Sequence, residues 1–197
     1  MRAHPTLYLV RHGETDWNAE GRLQGQRDVP LNGLGRAQAE AAGRRLGELL
    51  PDAGGLDYVA SPLGRTRTTM EGLRGALGLD PAAYRLDPRL REIAFGDWEG
   101  STWKEIRRRD PARARARDFD RYGYVPPGEG AESYAMLAER VLPVVLELPA
   151  PAVVVSHGGV TRALLVALGH LSPREAPRFE VWQGRVLLVD AAGWRWA

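Results

Sequence analysis

The stretch Leu7-Tyr8-Leu9-Val10-Arg11-His12-Gly13-Glu14-Thr15 decides the fold of this chain. It opens with a short apolar run, which is typical of a buried strand, and it then ends abruptly at a cation, an imidazole and a glycine. In open α/β folds, ligands bind at the carboxyl ends of the strands. Gly13 allows the backbone to turn sharply and a ligand to come close. The stretch therefore predicts a strand that delivers Arg11 and His12 to a ligand site.

A second stretch repeats this arrangement far down the chain. Val153-Val154-Val155-Ser156-His157-Gly158-Gly159 is again an apolar run that ends in His-Gly. A single histidine at a strand end is more often structural than catalytic. Two such histidines, His12 and His157, lie side by side if their strands are neighbours in the sheet, and the repetition therefore favours a site that uses both.

Composition limits the class of protein. The chain has 197 residues, 44% of them hydrophobic, which suits one domain over residues 1–197 with a sizeable core. A net charge of +2 argues against dependence on nucleic acid or on an anionic membrane. The absence of cysteine excludes disulfides, thiolate metal ligands and a cysteine nucleophile, and it fits a cytoplasmic protein. No apolar run approaches the ~20 residues of a membrane span, and residues 1–6 lack a signal core.

Strand and helix patterns alternate along the chain. After the first strand, the strand patterns cover residues 57–61, 86–90 and 153–156, and the helix patterns cover residues 34–50, 65–77, 132–148 and 160–168. Pro143 should kink or divide the third of these helices. Such alternation predicts an α/β fold, a three-layer αβα sandwich with a mostly parallel sheet. Residues 179–182 and 186–189 flank Gln183-Gly184 like a hairpin and predict an antiparallel edge strand.

The strand-end groups suit phosphoryl transfer. A phosphoryl group carries negative charge throughout its transfer, so it needs donors aimed at its oxygens and a nucleophile in line with the leaving group. The guanidinium groups of Arg11 and Arg65 supply planar, forked donors. A neutral imidazole such as that of His12 is a competent nucleophile, and the second histidine, His157, can donate as an imidazolium. Taken alone, Arg65 also fits a solvated surface arginine.

The same chemistry needs a carboxyl group that protonates the leaving oxygen and then deprotonates water. Glu92, Asp97 and Glu99 are all candidates, and chemistry alone does not choose among them. A metal site formed by the two histidines and Glu92 is not supported, because no His-x-x-x-His or paired-carboxylate motif accompanies it. No P-loop motif exists either. The sequence therefore predicts a site with no metal ion and no cofactor.

Several further motifs follow one another in a fixed order along almost the whole chain. They are Leu9-Val10-Arg11-His12-Gly13-Glu14-Thr15-Asp16-Trp17-Asn18, Gly21-Arg22-Leu23-Gln24-Gly25, Asp28-Val29-Pro30-Leu31-Asn32, Ser61-Pro62-Leu63-Gly64-Arg65-Thr66, Leu90-Arg91-Glu92-Ile93, Gly96-Asp97-Trp98-Glu99-Gly100 and Val155-Ser156-His157-Gly158-Gly159. In this combination the chain resembles the histidine phosphatase superfamily, the phosphoglycerate-mutase-like group. No single motif is specific, but the ensemble is.

The resemblance implies a role for each group of the catalytic set. By similarity, His12 is the nucleophile and becomes phosphohistidine. Arg11, Arg65 and His157 are similar to the family's phosphate clamp. The match at Leu90-Arg91-Glu92-Ile93 selects Glu92 as the proton donor; without the match, Glu92 also fits an exposed ion pair with a nearby arginine.

The resemblance also implies the substrate-binding groups and the partners. Asn18, Gln24 and the backbone of Gly158 are similar to further contacts with substrate or phosphate. The expected partner is a small phosphorylated metabolite, with no nucleic acid and no membrane. The oligomeric state stays open, with a homodimer among the alternatives.

Residues 91–131 are the least regular part and predict a lid-like insertion. They contain an arginine cluster, residues 107–121, and the aromatic residues Trp98, Trp103, Tyr122 and Tyr124. One interpretation is a solvated helical hairpin interrupted by Pro111. The other is a lid over the phosphorylated substrate, whose aromatic residues contact the leaving group, since long irregular insertions often carry specificity. Both interpretations can hold together.

The predicted activity is hydrolysis of a phosphomonoester through a phosphohistidine. A phosphoglycerate mutase and a catalytically silent phosphate-binding module on the same fold are the alternatives. The ending Trp194-Arg195-Trp196-Ala197 looks packed rather than mobile, and Gly96-Asp97-Trp98-Glu99-Gly100 resembles the phosphatase branch. Retention of Glu92 argues against a silent module. The arginine cluster is the argument for a mutase, because it can supply a second anion site.

Overall fold

A six-stranded sheet forms the centre of the computed structural model, which describes residues 4–197. Its strands are β1 (Leu7–Arg11), β2 (Asp57–Ala60), β3 (Arg85–Leu86), β4 (Ala152–Ser156), β5 (Val186–Asp190) and β6 (Gly193–Trp196). Their order across the sheet is β3-β2-β4-β1-β5-β6. The pairs β1–β4, β2–β4 and β2–β3 are parallel, whereas β1–β5 and β5–β6 are antiparallel. The prediction of a mostly parallel sheet with an antiparallel edge is confirmed.

Seven α-helices accompany the sheet. They are α1 (Asp16–Ala19), α2 (Gly33–Leu49), α3 (Gly64–Ala76), α4 (Trp103–Arg109), α5 (Pro111–Phe119), α6 (Tyr134–Leu146) and α7 (Gly158–Ala167). Short 3-10 turns cover Ala53–Gly55, Pro88–Leu90, Gly96–Trp98 and Ala176–Arg178. Pro143 lies inside α6 without dividing it, so the helix continues where the sequence suggested a break. In the part of the chain that the structure describes, no helix is both long enough and apolar enough to cross a membrane.

Two hydrophobic cores lie on opposite faces of the sheet. Because successive side chains of a strand point to opposite faces, Tyr8 and Val10 of β1 belong to one core, and Leu7 and Leu9 belong to the other. The first core is covered by α2 and α3, and the second by α6 and α7. The core residues of α2 and α3 include Leu46 and Met70, and those of α6 and α7 include Leu137 and Leu164. This is the three-layer arrangement that the alternation of strands and helices predicted.

Two local predictions are wrong. The strand predicted at 86–90 is reduced to the two-residue β3, because the Asp87 side chain accepts a hydrogen bond from the Arg89 N–H and starts a 3-10 turn. The closing hairpin also lies elsewhere, since β5 pairs with β6 rather than with residues 179–182. Its turn follows Asp190, whose carboxylate accepts a hydrogen bond from the Ala192 N–H at 2.8 Å.

Residues 91–131, the segment predicted to be a lid-like insertion, are called the lid below. Helices α4 and α5 make a hairpin interrupted at Pro111, and this lid has a small hydrophobic cluster of its own, built on Trp98, Ile106 and Ala114. Trp98 is 1% exposed and stacks on Tyr124 at a centroid distance of 5.6 Å. The segment is therefore a small folded unit that packs largely on itself.

The loop after β1 is fixed by a close backbone contact with the start of α2. Asn32 caps this helix and accepts a hydrogen bond from the Gly35 N–H at 2.9 Å. A Cβ atom on Gly13 would overlap the Gly35 carbonyl, and one on Gly35 would overlap the Glu14 carbonyl. Only glycine at both positions allows the strand end and the helix to touch, and this contact sets the direction in which the chain leaves β1.

We expect Gly35→Ala to destabilise the protein by about 1–3 kcal/mol, because its methyl group has to displace the backbone of the loop that follows His12. Gly33→Ala, two residues earlier in the same helix, is the matched control, since a Cβ atom there meets nothing within 4 Å. Urea unfolding of both variants measures the difference. Equal unfolding midpoints would show that the backbone contact can relax without cost.

Candidate active site

A cavity of about 230 Å³ opens at the carboxyl ends of β1 and β4, beneath the lid. Seven of the eight residues that the sequence predicted for the site line it: Arg11, His12, Asn18, Gln24, Arg65, Glu92 and Gly158. The eighth, His157, lies directly behind the wall. The parallel pairing of β1 with β4 places Arg11 opposite Ser156, so that His12 and His157 follow at neighbouring strand ends. The sequence therefore predicted correctly which residues meet at this edge.

His12 is 3% exposed, and its ring has a defined orientation. Its Nδ1 atom lies 2.8 Å from the Gly13 carbonyl oxygen. Because a carbonyl oxygen can only accept, Nδ1 carries the proton, and Nε2 keeps its lone pair. Burial, followed by the positive charges of Arg65 and Arg11, lowers the pKa of His12 well below 6.5. The ring is thus a neutral imidazole with one free nitrogen.

Two buried guanidinium groups flank His12. Arg65 is fully buried and donates to the carbonyl oxygens of Arg27 (2.6 Å) and Gly25 (2.8 Å), while Arg11 donates to the carbonyl oxygen of Val181 (3.0 Å). Burial, and then the charge of Arg162, lowers the pKa of Arg11 to about 10. The Nε–H groups of Arg11 and Arg65 have no partner within residues 4–197. Buried donors of this kind are costly unless an acceptor reaches them, and a phosphoryl oxygen is a suitable acceptor.

His157 supports the site from behind. Its ring is fully buried and packs edge-on against that of His12 at a centroid distance of 5.3 Å. Its Nδ1 lies 3.3 Å from the Arg65 guanidinium, which can only donate, so its Nε2 carries the proton toward Ser61 Oγ at 2.9 Å. Burial, and then the charge of Arg65, lowers the pKa of His157 well below 6.5. In this arrangement His157 is neutral and orients Arg65, and a bound dianion would favour its protonated form.

Glu92 lies across the cavity, and two backbone amides hold its carboxylate. Oε1 accepts from the Ile93 N–H at 2.9 Å, and Oε2 accepts from the Gly159 N–H, in the first turn of α7, at 3.1 Å. A Cβ atom on Gly159 would collide with this carboxylate. The glycine after Gly158 therefore makes room for the acid, which explains why His-Gly-Gly suits this strand end.

The remaining predicted contacts belong to the loops around the cavity. Asn18 Oδ1 caps α1 by accepting from the Thr15 N–H and also accepts from Gln183 Nε2 at 3.1 Å. Gln24 is 6% exposed, and its Oε1 atom has no partner in the described part of the chain. Gly158 is the first residue of α7, whose free N–H groups and dipole favour an anion. All three residues line the cavity.

Sequence analysis missed Arg162, which also lines the cavity. It lies four residues after Gly158, hence on the same face of α7, and that spacing was the available signal. Its Nε–H donates to the Phe179 carbonyl oxygen at 2.9 Å. No carboxylate of residues 4–197 forms an ion pair with it. The cavity therefore contains a third guanidinium group whose charge is not balanced by an acid.

Of the four lid aromatic residues proposed to contact the leaving group, only Trp103 lines the cavity. Arg117 lines it too and lies over the Trp103 ring, 4.2 Å from the centroid. Trp98 and Tyr124 belong to the cluster inside the lid instead, because large apolar rings are buried where neighbouring side chains can cover them.

Arg140 fixes the loop that carries Glu92, and no pattern in the sequence indicated this role. Its guanidinium donates to the carbonyl oxygens of Arg89 (2.6 Å), Arg91 (3.0 Å) and Glu92 (3.3 Å). The same group forms an ion pair with Glu132 at 2.6 Å. Three successive contacts to one loop leave Glu92 little freedom to move away from the cavity.

Comparisons with known proteins agree with this site. The model of the histidine phosphatase superfamily (branch 1) matches residues 7–197. The glucosyl-3-phosphoglycerate phosphatase of Mycobacterium tuberculosis is 39% identical over 181 residues, which are 85% of this chain and 76% of the relative. The protein named Probable phosphoglycerate mutase GpmB of Erwinia tasmaniensis is 34% identical over 198 residues, covering 95% of this chain and 89% of the relative.

A solved structure is similar over almost the whole chain. It is that of a mycobacterial glucosyl-3-phosphoglycerate phosphatase complexed with VO3, with a TM-score of 0.80 and 35% identity, covering 98% of this chain and 97% of the other. This chain belongs to the histidine phosphatase superfamily. Within it, the chain is a phosphatase for a small phosphorylated metabolite.

The two buried histidines make stability depend on pH. Their pKa values are lowered in the folded state, so the unfolded chain binds more protons below about pH 6.5, and the free energy of unfolding should fall there as the pH falls. We expect a loss of up to about 1.4 kcal/mol per pH unit for each histidine. Urea unfolding between about pH 7.5 and pH 5.5 measures it. His12→Asn should reduce the slope by one histidine's share, and a flat profile of the parent protein would contradict the neutral state of both rings.

Arg140→Gln should lower kcat by roughly tenfold to a hundredfold, because a misplaced carboxyl group no longer reaches the leaving oxygen. The loss should be much smaller with p-nitrophenyl phosphate, whose leaving group needs no proton, than with an alkyl phosphate. Arg89→Gln is the matched control, since it breaks ion pairs with Asp87 and Glu147 in the same region and leaves the Glu92 carbonyl contact intact. Equal losses with both substrates would mean that Arg140 serves folding alone.

Proposed function

We propose that this phosphatase works through a phosphohistidine on His12 and releases inorganic phosphate. The observation that carries the proposal is the hydrogen bond from His12 Nδ1 to the Gly13 carbonyl oxygen. It fixes the tautomer, so that Nε2 offers its lone pair to the cavity in which Arg11 and Arg65 present donors. A nucleophile between two cations is the arrangement that phosphoryl transfer requires.

In the first step His12 Nε2 attacks phosphorus, and the bond between phosphorus and the leaving oxygen breaks. The Glu92 carboxyl group gives its proton to that oxygen, and the alcohol departs. In the second step Glu92, now a carboxylate, takes a proton from water, whose oxygen attacks phosphorus. The phosphorus–nitrogen bond breaks, phosphate leaves, and both groups return to their starting states.

The guanidinium groups provide the electrostatic part of the proposed catalysis. Arg11 and Arg65 are buried and held by backbone carbonyls, so they need little reorganisation when charge shifts among the phosphoryl oxygens. The N-terminus of α7 adds further donors near Gly158. We propose that these groups replace the divalent ion that other phosphatases use, so that activity survives exhaustive chelation.

A mutase is the second candidate, favoured by the similarity to the protein named Probable phosphoglycerate mutase GpmB. A mutase has to keep water from the phosphohistidine until a second hydroxyl group arrives, and it has to bind a bisphosphate. Four of the seven arginines in the cluster predicted to serve the second phosphate already have an acidic partner: Arg107, Arg117 and Arg121 lie within 3.5 Å of Asp118, and Arg113 lies 3.0 Å from Asp110. Hydrolysis is therefore the function that the geometry supports best. The cytoplasmic location stays a prediction.

Substrate should leave a phosphoryl group on His12. Protein that is quenched in base during turnover of a ³²P-labelled phosphomonoester should retain label that is stable to base and labile to acid, as expected for a phosphoramidate. His12→Ala should lose both label and turnover. Glu92→Gln should retain label longer, because the attacking water has no base. Turnover by His12→Ala at the parental rate would rule out the proposed nucleophile.

The products of 3-phosphoglycerate distinguish the two candidate activities. We expect inorganic phosphate to appear faster than 2-phosphoglycerate, and added 2,3-bisphosphoglycerate should not stimulate the reaction. A phosphate assay measures phosphate release with and without EDTA, and a coupled enolase assay measures 2-phosphoglycerate in the samples without EDTA, because enolase itself needs Mg²⁺. Efficient isomerisation with little phosphate release would establish the mutase instead, and loss of activity in EDTA with rescue by a divalent metal would overturn the metal-free mechanism.

A further inference from the structure

A second depression, called here the distal groove, lies beside the active-site cavity. It has a volume of about 470 Å³ and runs between residues 118–122 at the end of the lid and residues 173–178 after α7. Pro177 lines both the groove and the cavity. The groove therefore adjoins the cavity at Pro177, on the side where residues 118–122 lie against residues 173–178.

The distal groove is rich in arginine. Arg121, Arg174 and Arg178 line it, together with Asp118 and Asp120. Asp118 is already engaged by three arginines, one of them Arg121, at 3.5 Å. Asp120 accepts hydrogen bonds from the backbone N–H groups of Tyr122 (3.3 Å) and Gly123 (2.8 Å). The two acids therefore have partners of their own.

Arg174 and Arg178 differ from Arg121, the third arginine of the groove, in having no ion-pair partner. Neither forms an ion pair with a carboxylate of residues 4–197, and both are exposed. Arg162, at the inner end near Pro177, is likewise without an acidic partner. Arg162 in the cavity and Arg174 and Arg178 in the groove are thus guanidinium groups without an ion-pair partner, and such groups attract and orient an anion.

We propose that the distal groove binds the far end of the substrate's leaving group and that this end is an anion, either a carboxylate or a second phosphoryl group. The proposal rests on the proposed function, because it needs the phosphoester to lie at His12. The carbon chain of the leaving group passes Pro177, and the Phe119 ring, which is 95% exposed at the groove, gives it an apolar contact. Arg174 and Arg178 then hold the terminal anion.

The test compares two substrates that differ only at the far end. 6-Phosphogluconate and glucitol 6-phosphate are open chains of equal length, and the first has a carboxylate where the second has a hydroxymethyl group. We expect kcat/KM to be about tenfold or more higher for 6-phosphogluconate, as for a charge-assisted hydrogen-bonded pair. Glucitol 1,6-bisphosphate tests the phosphoryl form of the same anion. In Arg174→Gln/Arg178→Gln the preference for either anion should fall to about one.

Two controls keep the result specific. Arg44→Gln/Arg45→Gln removes the same charge from exposed positions of α2 and should leave the preference unchanged. The carboxylate of 3-phosphoglycerate is too close to the phosphoester to reach the groove. The ratio of kcat/KM for 3-phosphoglycerate to that for glycerol 3-phosphate should therefore be the same in the parent and in Arg174→Gln/Arg178→Gln. Inhibition by vanadate should also be unchanged.

The outcomes distinguish failure of the proposed anion site in the groove from failure of the proposed hydrolase activity. Equal kcat/KM values for all three six-carbon substrates in the parent protein, or a preference for an anion that survives Arg174→Gln/Arg178→Gln, would overturn the distal groove while leaving the hydrolase intact. No turnover of any of these substrates or of p-nitrophenyl phosphate would overturn the proposed function itself. A preference in the bisphosphate arm alone identifies the anion as a phosphoryl group and supports the proposal.

Discussion

The parallel pairing of β1 with β4 is the constraint on which the site depends. It places Arg11 opposite Ser156, and the His12 N–H donates to the Ser156 carbonyl oxygen at 2.9 Å, one residue beyond the strand. This last backbone hydrogen bond brings the two histidine rings into contact. Arg65 joins them because β2, on the other side of β4, leads into α3. Three chain segments distant in sequence thereby supply one set of phosphoryl donors, and the hydrophobic cores on both faces of the sheet keep their register fixed.

The site gathers positive charge under burial, which is unfavourable in the absence of an anion. Two features of the structure reduce the free-energy cost of burying this positive charge. Backbone carbonyls of the loops accept hydrogen bonds from Arg11 and Arg65, and both histidines remain neutral. The Nε–H groups of Arg11 and Arg65 have no partner in residues 4–197, and a bound dianion would supply acceptors for them. The same arginine and histidine side chains therefore determine both the affinity for phosphate and the stability of the folded protein.

Most of the residues selected from the sequence meet at one cavity, because they lie at strand ends and helix starts, where short motifs determine the local structure. Prediction from the sequence failed where the outcome depends on tertiary packing. Gln183-Gly184 has the composition of a hairpin turn, yet Gln183 bridges to Arg11, and the real turn lies at Ala191-Ala192, which has little turn signature. His157 was predicted to face the phosphate, and only the structure shows both of its ring nitrogens occupied by Arg65 and Ser61. The support of the Glu92 loop by Arg140 joins residues 48 apart and leaves no local pattern.

The lid shares few of its buried residues with the sheet, since Trp98, Ile106 and Ala114 cover one another. Substitutions within it accordingly leave the two main cores intact. The roof of the cavity and its floor at the strand ends are therefore built around separate hydrophobic clusters. A substitution in the roof can then change the shape of the space beside the phosphoryl donors while the strand ends that hold those donors keep their positions.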